Sequence, residues 1–260
     1  MLIRHTTISE LEQLLRCLGV RKADTVMVHS SVITLGIVEN GLAGLYQAFR
    51  NILGEEGTLI VPTFTYSFRR NEVFDVKNTR VPKALGIFSE YVRQLPWAIR
   101  SSDPLFSMVA IGPKAEILMQ RKTHYCFGRG SIYEKLFDAN ILILALGITY
   151  STGITAFLHL EKLGSAPYRI DYSFAGTTIA ADGSVYDDFA IHFMRDEKRF
   201  PIVEVDREQI GAQMESLGIS NSVQFGSGKH IALRAQFFAD YVLECLKKNK
   251  YAMLRNYKIE

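Results

Sequence analysis

Three segments of this 260-residue chain bring together residue types that can do chemistry. The first is His29-Ser30-Ser31, which follows the apolar run 25–29 (TVMVH) and precedes Thr34-Leu35-Gly36. A strand ending in small hydroxyl residues ahead of a helix offers backbone N–H groups to a phosphate or an amide-rich ligand. The same pattern describes an ordinary strand-to-helix turn with serine as N-cap. His29, at the strand's end, is either a general base or a hydrogen-bonded core histidine. The second segment is 98–112 (AIRSSDPLFSMVAIG), where Arg100, Ser101, Asp103 and Ser107 crowd ahead of a strand. Arg with Ser suits a phosphate or pantetheine-like ligand, and Asp103 before Pro104 suits a turn. The third is 151–161 (STGITAFLHLE). In a helix Thr155 and His159 lie four apart on one face, placed to look into a cleft at the carboxyl end of a sheet. Glu161 lies about 200° around the helix from His159 and does not readily share a cavity with it.

Other nucleophilic and metal signatures are missing from the sequence. It holds no G-x-S-x-G elbow, no P-loop and no H-E-x-x-H, and Cys126 beside Phe127-Gly128-Arg129-Gly130 reads equally as a buried thiol or a nucleophile. His5, His124, His192 and His230 do not fall at metal-ligand spacing, so no metal is expected; of these only His192, in the strand after a hairpin, is a candidate pocket residue. Three widely spaced cysteines without a C-x-x-C favour reduced thiols in a cytoplasmic protein. The N-terminus lacks the apolar core of a signal peptide, and the apolar run from Ile141 is far short of the roughly 20 residues that span a bilayer. Thirty Lys and Arg against 27 Asp and Glu give a formal +3, too balanced for a nucleic-acid footprint; the basic stretch Lys247, Lys248, Lys250, Arg255, Lys258 reads as a solvated helix end and tail.

The elements that must position these residues follow from periodicity. Ser9 and Glu12 suggest a capping box ahead of Leu11, Leu14, Leu15 and Leu18, one face of a short helix. Residues 25–29 read as a strand, Leu42, Leu45, Tyr46, Phe49, Ile52 and Leu53 as a helix stopped by Gly54, and 58–64 as the next strand. Runs 108–112 and 141–147 read as strands buried on both faces, and 238–246 as a late helix. Between 177 and 194, Asp182-Gly183 separates two β-prone segments, a two-residue hairpin signal. The expectation is an α/β fold: a central, mostly parallel sheet flanked by helices in α/β/α layers, with an antiparallel hairpin, as a single domain over 1–260.

Motifs in order along nearly the whole chain resemble the aminoglycoside 3-N-acetyltransferase family: DTVMVHSSVITLG, LGEEGTLIVPTFTYSF, VPKALGIFSEYVRQLPWAIRSSDPLFSMVAIG, FGRGSIYEKL, ITAFLHLEKLGSAPYR and FGSGKHIALRAQ. The resemblance implies an acetyl-coenzyme A-dependent N-acetyltransferase with a layered fold distinct from the GNAT acetyltransferases. It implies that His29, Ser30, Ser31, Leu35 and Gly36, with Arg100, Ser101 and Ser107, line the coenzyme A site. Catalysis would fall to His29, His159, Thr155 and Glu161. Two departures stand out. In the family a Thr, a His three residues on and a Glu three beyond that share a helical face; keeping Thr155 and Glu161 in frame puts Leu158 at the histidine position. Asp103 stands where drug-modifying members commonly have His. Together with Pro167-Tyr168-Arg169 and the segment after His192, this is more similar to members that acetylate amino sugars in surface-polysaccharide pathways.

Asp75, Glu90, Asp103, Arg169 and His192 are the candidate acceptor-site residues. Because Arg69, Arg70, Arg80, Arg169 and Arg195 fall in segments expected to border the pocket, the favoured acceptor is a nucleotide-linked amino sugar, with an aminoglycoside antibiotic as the alternative. A non-catalytic coenzyme A- or sugar-binding protein is the rival from another class, and a ping-pong route through Cys126 the rival mechanism. No nucleic-acid or membrane partner is expected; whether the chain forms a homodimer is left open.

Overall fold

The computed structural model describes residues 4–255, so Lys258 lies outside the described residues. A seven-stranded sheet runs in the order Ser220–Phe225, Gly228–Arg234, Leu142–Leu146, Thr25–Ser30, Thr58–Pro62, Met108–Ile111, Ile99–Arg100. The three central strands, Leu142–Leu146, Thr25–Ser30 and Thr58–Pro62, run parallel, and the strands added on either side are antiparallel. All residues of Leu142–Leu146 and Thr58–Pro62 are buried. This is why they read as unbroken apolar runs: helices cover both faces of a parallel sheet.

Alternate side chains of these strands feed two cores. On one face Val26, Val28, Leu59 and Val61 pack with Leu11, Leu15, Phe49, Leu53 and Phe88, from the helices Ile8–Cys17, Gly41–Leu53 and Ile87–Arg93. On the other, Met27, Ile60, Ile143 and Ala145 meet Leu136, Phe157 and Phe238, from Ile132–Asp138, Ala156–Leu163 and Ala235–Lys248. The result is a three-layer α/β/α arrangement. Among the described residues no helix is long and apolar enough to cross a membrane.

Two local expectations need correction. The capping box is Thr7 with Glu10, not Ser9 with Glu12. Thr7 is extended (φ −78°, ψ 160°) and accepts from the Glu10 N–H while Glu10 accepts from the Thr7 N–H at 2.8 Å; Ser9 and Glu12 are already helical. The hairpin is present and longer than expected, pairing Arg169–Ile179 with Val185–Arg195 in antiparallel register. Its connection spans residues 180–184 rather than two, with Asp182 Oδ1 accepting from the Ser184 N–H and hydroxyl and Gly183 at φ 91°. Phe74–Asp75 adds a parallel third strand to this outer sheet.

Candidate active site

At the carboxyl ends of the parallel strands the chain turns sharply. The strand Thr25–Ser30 passes into a 3-10 turn, Val32–Leu35, rather than an α-helix, and Ser31 makes no side-chain cap. The Ser31 N–H donates to Leu146 O at 2.8 Å and the Thr34 hydroxyl to Ser31 O at 2.8 Å. Gly147, ending the neighbouring strand, has φ 67°, and a Cβ there would lie 2.0 Å from Thr34 Oγ1. Only glycine lets this strand end and the 3-10 turn approach this closely.

These turns open a cavity of about 480 Å³ lined by His29, Ser30, Ser31, Lys83, Gly86 and Thr155, among others. Its walls mix polar and apolar groups, as small-molecule sites do. His29 is buried, its Nε2 has no hydrogen-bond partner among the described residues, and burial pushes its pKa down to about 4. It is therefore neutral at pH 7 with an unspent ring nitrogen.

A second cavity, of about 310 Å³, shares Tyr66, Thr152, Gly153 and Thr155 with the first. Its further lining includes Arg69, Phe106, Leu158, Arg169, His192 and Arg207. Thr155 thus stands at the border of both. It precedes the helix Ala156–Leu163 but does not cap it; its hydroxyl is instead paired with the Tyr133 hydroxyl, supplied by Ile132–Asp138. Burial raises the Tyr133 pKa above the ordinary tyrosine value, so this phenol stays protonated.

The helix carrying Thr155 decides the fate of the next residues. Leu158, three positions on, faces the second cavity. His159 is turned into the core, where its Nδ1 accepts from the Gly128 N–H at 3.1 Å and its ring packs against Tyr133 and Phe137. The expectation that His159 takes a catalytic part is therefore corrected: one residue step, about 100° of helix, moves it from cavity to interior. Glu161 is also fully buried, and it lines neither cavity. It accepts from the Tyr168 hydroxyl at 2.7 Å and from Arg207 Nη2 at 2.8 Å, with Arg169 Nε 3.0 Å away. Burial alone would raise its carboxyl, but Arg207, Arg169 and Tyr168 together hold it below the ordinary glutamate value. Glu161 fixes two arginines from beneath the second cavity rather than meeting a substrate there.

Several other candidates are placed elsewhere. Leu35 is buried in the core, and Gly36 lies against Arg4 O. Arg100 donates to Thr79 O, Val76 O and Thr63 O, Ser107 to Thr63 O, and Ser101 accepts from the Met108 N–H. Arg100 and Ser107 thus spend donors on backbone carbonyls, and Ser101 spends its oxygen on a backbone N–H. Asp103 accepts from the Leu105 and Phe106 N–H groups, a turn role. Asp75 likewise caps Lys77 and Asn78, and Glu90 holds Arg93, Gln94 and the Val81 N–H. Arg70 and Arg195 pair with Glu72 and Glu197, and Arg80 is exposed. Cys126 is buried beside Asp103, and burial pushes its thiol pKa well up, which disfavours the thiolate a ping-pong route needs.

The structure thus brings together His29, Ser30, Ser31 and Thr155 with Arg169 and His192. It adds Tyr66, Arg69, Tyr133 and Arg207. In sequence Arg69 is only a border residue, and Arg207 has no local signal because its partner Glu161 is 46 residues away. Among the described residues no cluster of three His, Cys, Asp or Glu side chains is suited to a metal ion.

The family model described as aminoglycoside 3-N-acetyltransferase matches residues 27–247. Aminoglycoside N(3)-acetyltransferase III of Serratia marcescens is 28% identical over 204 residues, covering 72% of this chain and 76% of that protein. Aminoglycoside N(3)-acetyltransferase IV of Salmonella sp is 32% identical over 170 residues, covering 65% of this chain and 62% of that protein, so the alignment spans less than two thirds of its length. The solved structure of AAC-IIIb, binary with CoASH, superposes with a TM-score of 0.81 at 20% identity over 98% of this chain and 100% of that one. The layered architecture is therefore that of these acetyltransferases and not the GNAT fold. With the family model matched across both cavities and the sheet that carries them, the chain belongs to the aminoglycoside 3-N-acetyltransferase family of acyltransferases.

Proposed function

We propose that this chain is one acetyltransferase domain that moves the acetyl group of acetyl-coenzyme A onto the amine of an amino sugar. The observation that carries the reading is the meeting of the two cavities at Thr155. One accepts the thioester and the other the amine, so the reacting atoms face each other across a hydroxyl pair. The CoASH-bound relative supports coenzyme A as the cosubstrate. Ser30, Ser31 and Lys83 are the polar groups that would hold it.

In this reading the amine nitrogen attacks the thioester carbonyl carbon, the C–S bond breaks, and the proton shed by nitrogen leaves with the thiolate. Thr155, oriented by Tyr133, donates to the oxygen that becomes an oxyanion. His29 takes the proton that attack makes acidic and passes it to the departing thiolate, so the imidazole ends neutral. An imidazole held near 4 cannot deprotonate a free alkylammonium, whose pKa is about 10, so the acceptor must arrive as the free amine. Direct transfer without an acyl-enzyme agrees with the buried, protonated state of Cys126. For the acceptor, the relatives' names favour an aminoglycoside, the alternative raised above, and lend no support to a nucleotide-linked sugar. The charge of the second cavity is the one observation against the aminoglycoside.

Release of coenzyme A thiol from acetyl-coenzyme A tests the activity. A transferase releases thiol only with an added amine, a hydrolase releases it without one, and a binding protein releases none. Thiol release independent of amine, or none with any amine, would overturn the reading.

A further inference from the structure

Resting on the reading that this site acetylates an amine, we propose that its acceptor end selects an amine that also carries an oxyanion, a phosphate or carboxylate, received by Arg69, Arg169 and Arg207. The three guanidinium groups come from separate parts of the fold: the turn Tyr66–Arg70, the start of the strand Arg169–Ile179, and the residue before the helix Glu208–Ser216. They line the same cavity, and among the described residues no aspartate or glutamate lines it.

The charges do not cancel. Glu161 lies beneath Arg169 and Arg207, one carboxylate against two cations. Arg69 has no carboxylate partner among the described residues: it donates to His192 Nδ1 at 3.0 Å and lies over the rings of Tyr66 and Phe174. An arginine can only donate, so His192 Nδ1 must be the acceptor and this imidazole is neutral. Burial first, then Arg69 and Arg169, push its pKa down to about 3, so it neither adds charge nor neutralises any. Among the described residues Arg69 Nε and Arg207 Nε have no hydrogen-bond partner, and Arg169 Nε faces only Glu161, 3.0 Å away. Buried donors of this kind carry a desolvation cost that an oxyanion removes, and guanidinium forks match carboxylate and phosphate alike. The same lining opposes a polycation. An amino sugar with several ammonium groups would bring like charge into a cavity that offers no carboxylate.

Coenzyme A brings phosphates of its own, but the Ser30–Ser31 turn and Lys83 lie in the other cavity, with Thr155 and Tyr66 at the boundary. The kinetic constant for acetyl-coenzyme A is therefore a separate readout from that for the acceptor.

The test uses the full chain, acetyl-coenzyme A and four amines: D-glucosamine, glucosamine 6-phosphate, the corresponding 2-amino uronic acid, and gentamicin. The phosphate or the carboxylate derivative should exceed glucosamine and gentamicin in kcat/KM by about 10- to 100-fold, the worth of one or two charge-assisted hydrogen bonds. The better of the two anionic arms identifies the oxyanion. Arg69→Gln should abolish that preference while leaving the KM for acetyl-coenzyme A within about two-fold; Arg69→Lys, which keeps the charge, should retain part of it. Active enzyme that prefers gentamicin or uncharged glucosamine would overturn the proposal and leave the acetyltransferase reading intact. A rise in the KM for acetyl-coenzyme A in Arg69→Gln would also overturn it, by assigning the arginine to the cosubstrate. Turnover with none of the amines would overturn the functional reading and this inference with it.

Discussion

Replacing Glu161 with glutamine should destabilise the protein severely, although it removes only one charge. The carboxylate is fully buried and receives Arg207 Nη2 at 2.8 Å and the Tyr168 hydroxyl at 2.7 Å, with Arg169 Nε 3.0 Å away. Each of the two arginine side chains is itself only 8% exposed. Breaking a buried ion pair from one side costs about 3–5 kcal/mol, because the remaining charge stays desolvated without compensation. Here two guanidinium groups lose their counter-ion, while the glutamine carbonyl can still accept from Tyr168 or Arg207, so the expected loss is about 3 kcal/mol, the low end of that range. For a chain of this size that is a fall in Tm of roughly 6–12 °C. Urea unfolding at pH 7 followed by circular dichroism measures it, with the slope m checked to be unchanged so that the shift reports stability. A loss below about 1 kcal/mol would show that the arginines find solvent or another partner, and would refute the account of Glu161 as the anchor of the cavity floor.

Thr155→Val keeps the shape of the side chain and removes the hydroxyl at the junction of the cavities; kcat should fall by about 10²-fold with the KM for acetyl-coenzyme A within a few-fold. Unchanged kcat in steady-state thiol-release assays would remove Thr155 from the chemistry. His159→Ala should behave oppositely. It opens a void and orphans the Gly128 N–H, costing about 2–4 kcal/mol in denaturant unfolding, while folded enzyme keeps its kcat within about two-fold; a 10²-fold loss of kcat at full folding would return a catalytic role to it. The pH dependence of stability follows from His29, His159 and His192, which stay neutral in the folded state until pH falls to about 4, 4 and 3. In the unfolded chain a histidine protonates near 6.5, so below that pH the unfolded state binds more protons and stability falls. Each of them contributes up to about 1.4 kcal/mol per pH unit, a contribution fully present above 6.5 and lost as pH falls through the folded values. Unfolding free energies that stay level between pH 7 and 5 would contradict the burial of these rings.

The sequence by itself determined the layered architecture and the family. Buried parallel strands leave continuous apolar runs such as Ile141 to Leu146, and amphipathic helices leave periodic ones, so elements are written in local order. Helical spacing alone puts His159 on the face of Thr155, and only the resemblance to the family marks it as displaced relative to Leu158. That the displacement ends in a core histidine, with a leucine facing the cavity, depends on which face of Ala156–Leu163 the sheet covers. Donor-rich segments do not carry their partners in local sequence. Arg100, Ser101 and Ser107 have the composition of a phosphate site, yet Arg100 and Ser107 serve backbone carbonyls 21 to 44 positions away, Ser101 serves the Met108 N–H, and Asp103 serves its own turn. Arg207 is the converse, a residue without local signal made important by a carboxylate 46 positions earlier. A side chain's type fixes what bonds it can make. Whether they are spent inside the protein or left for a ligand is set by partners remote in sequence, and that only the tertiary structure decided.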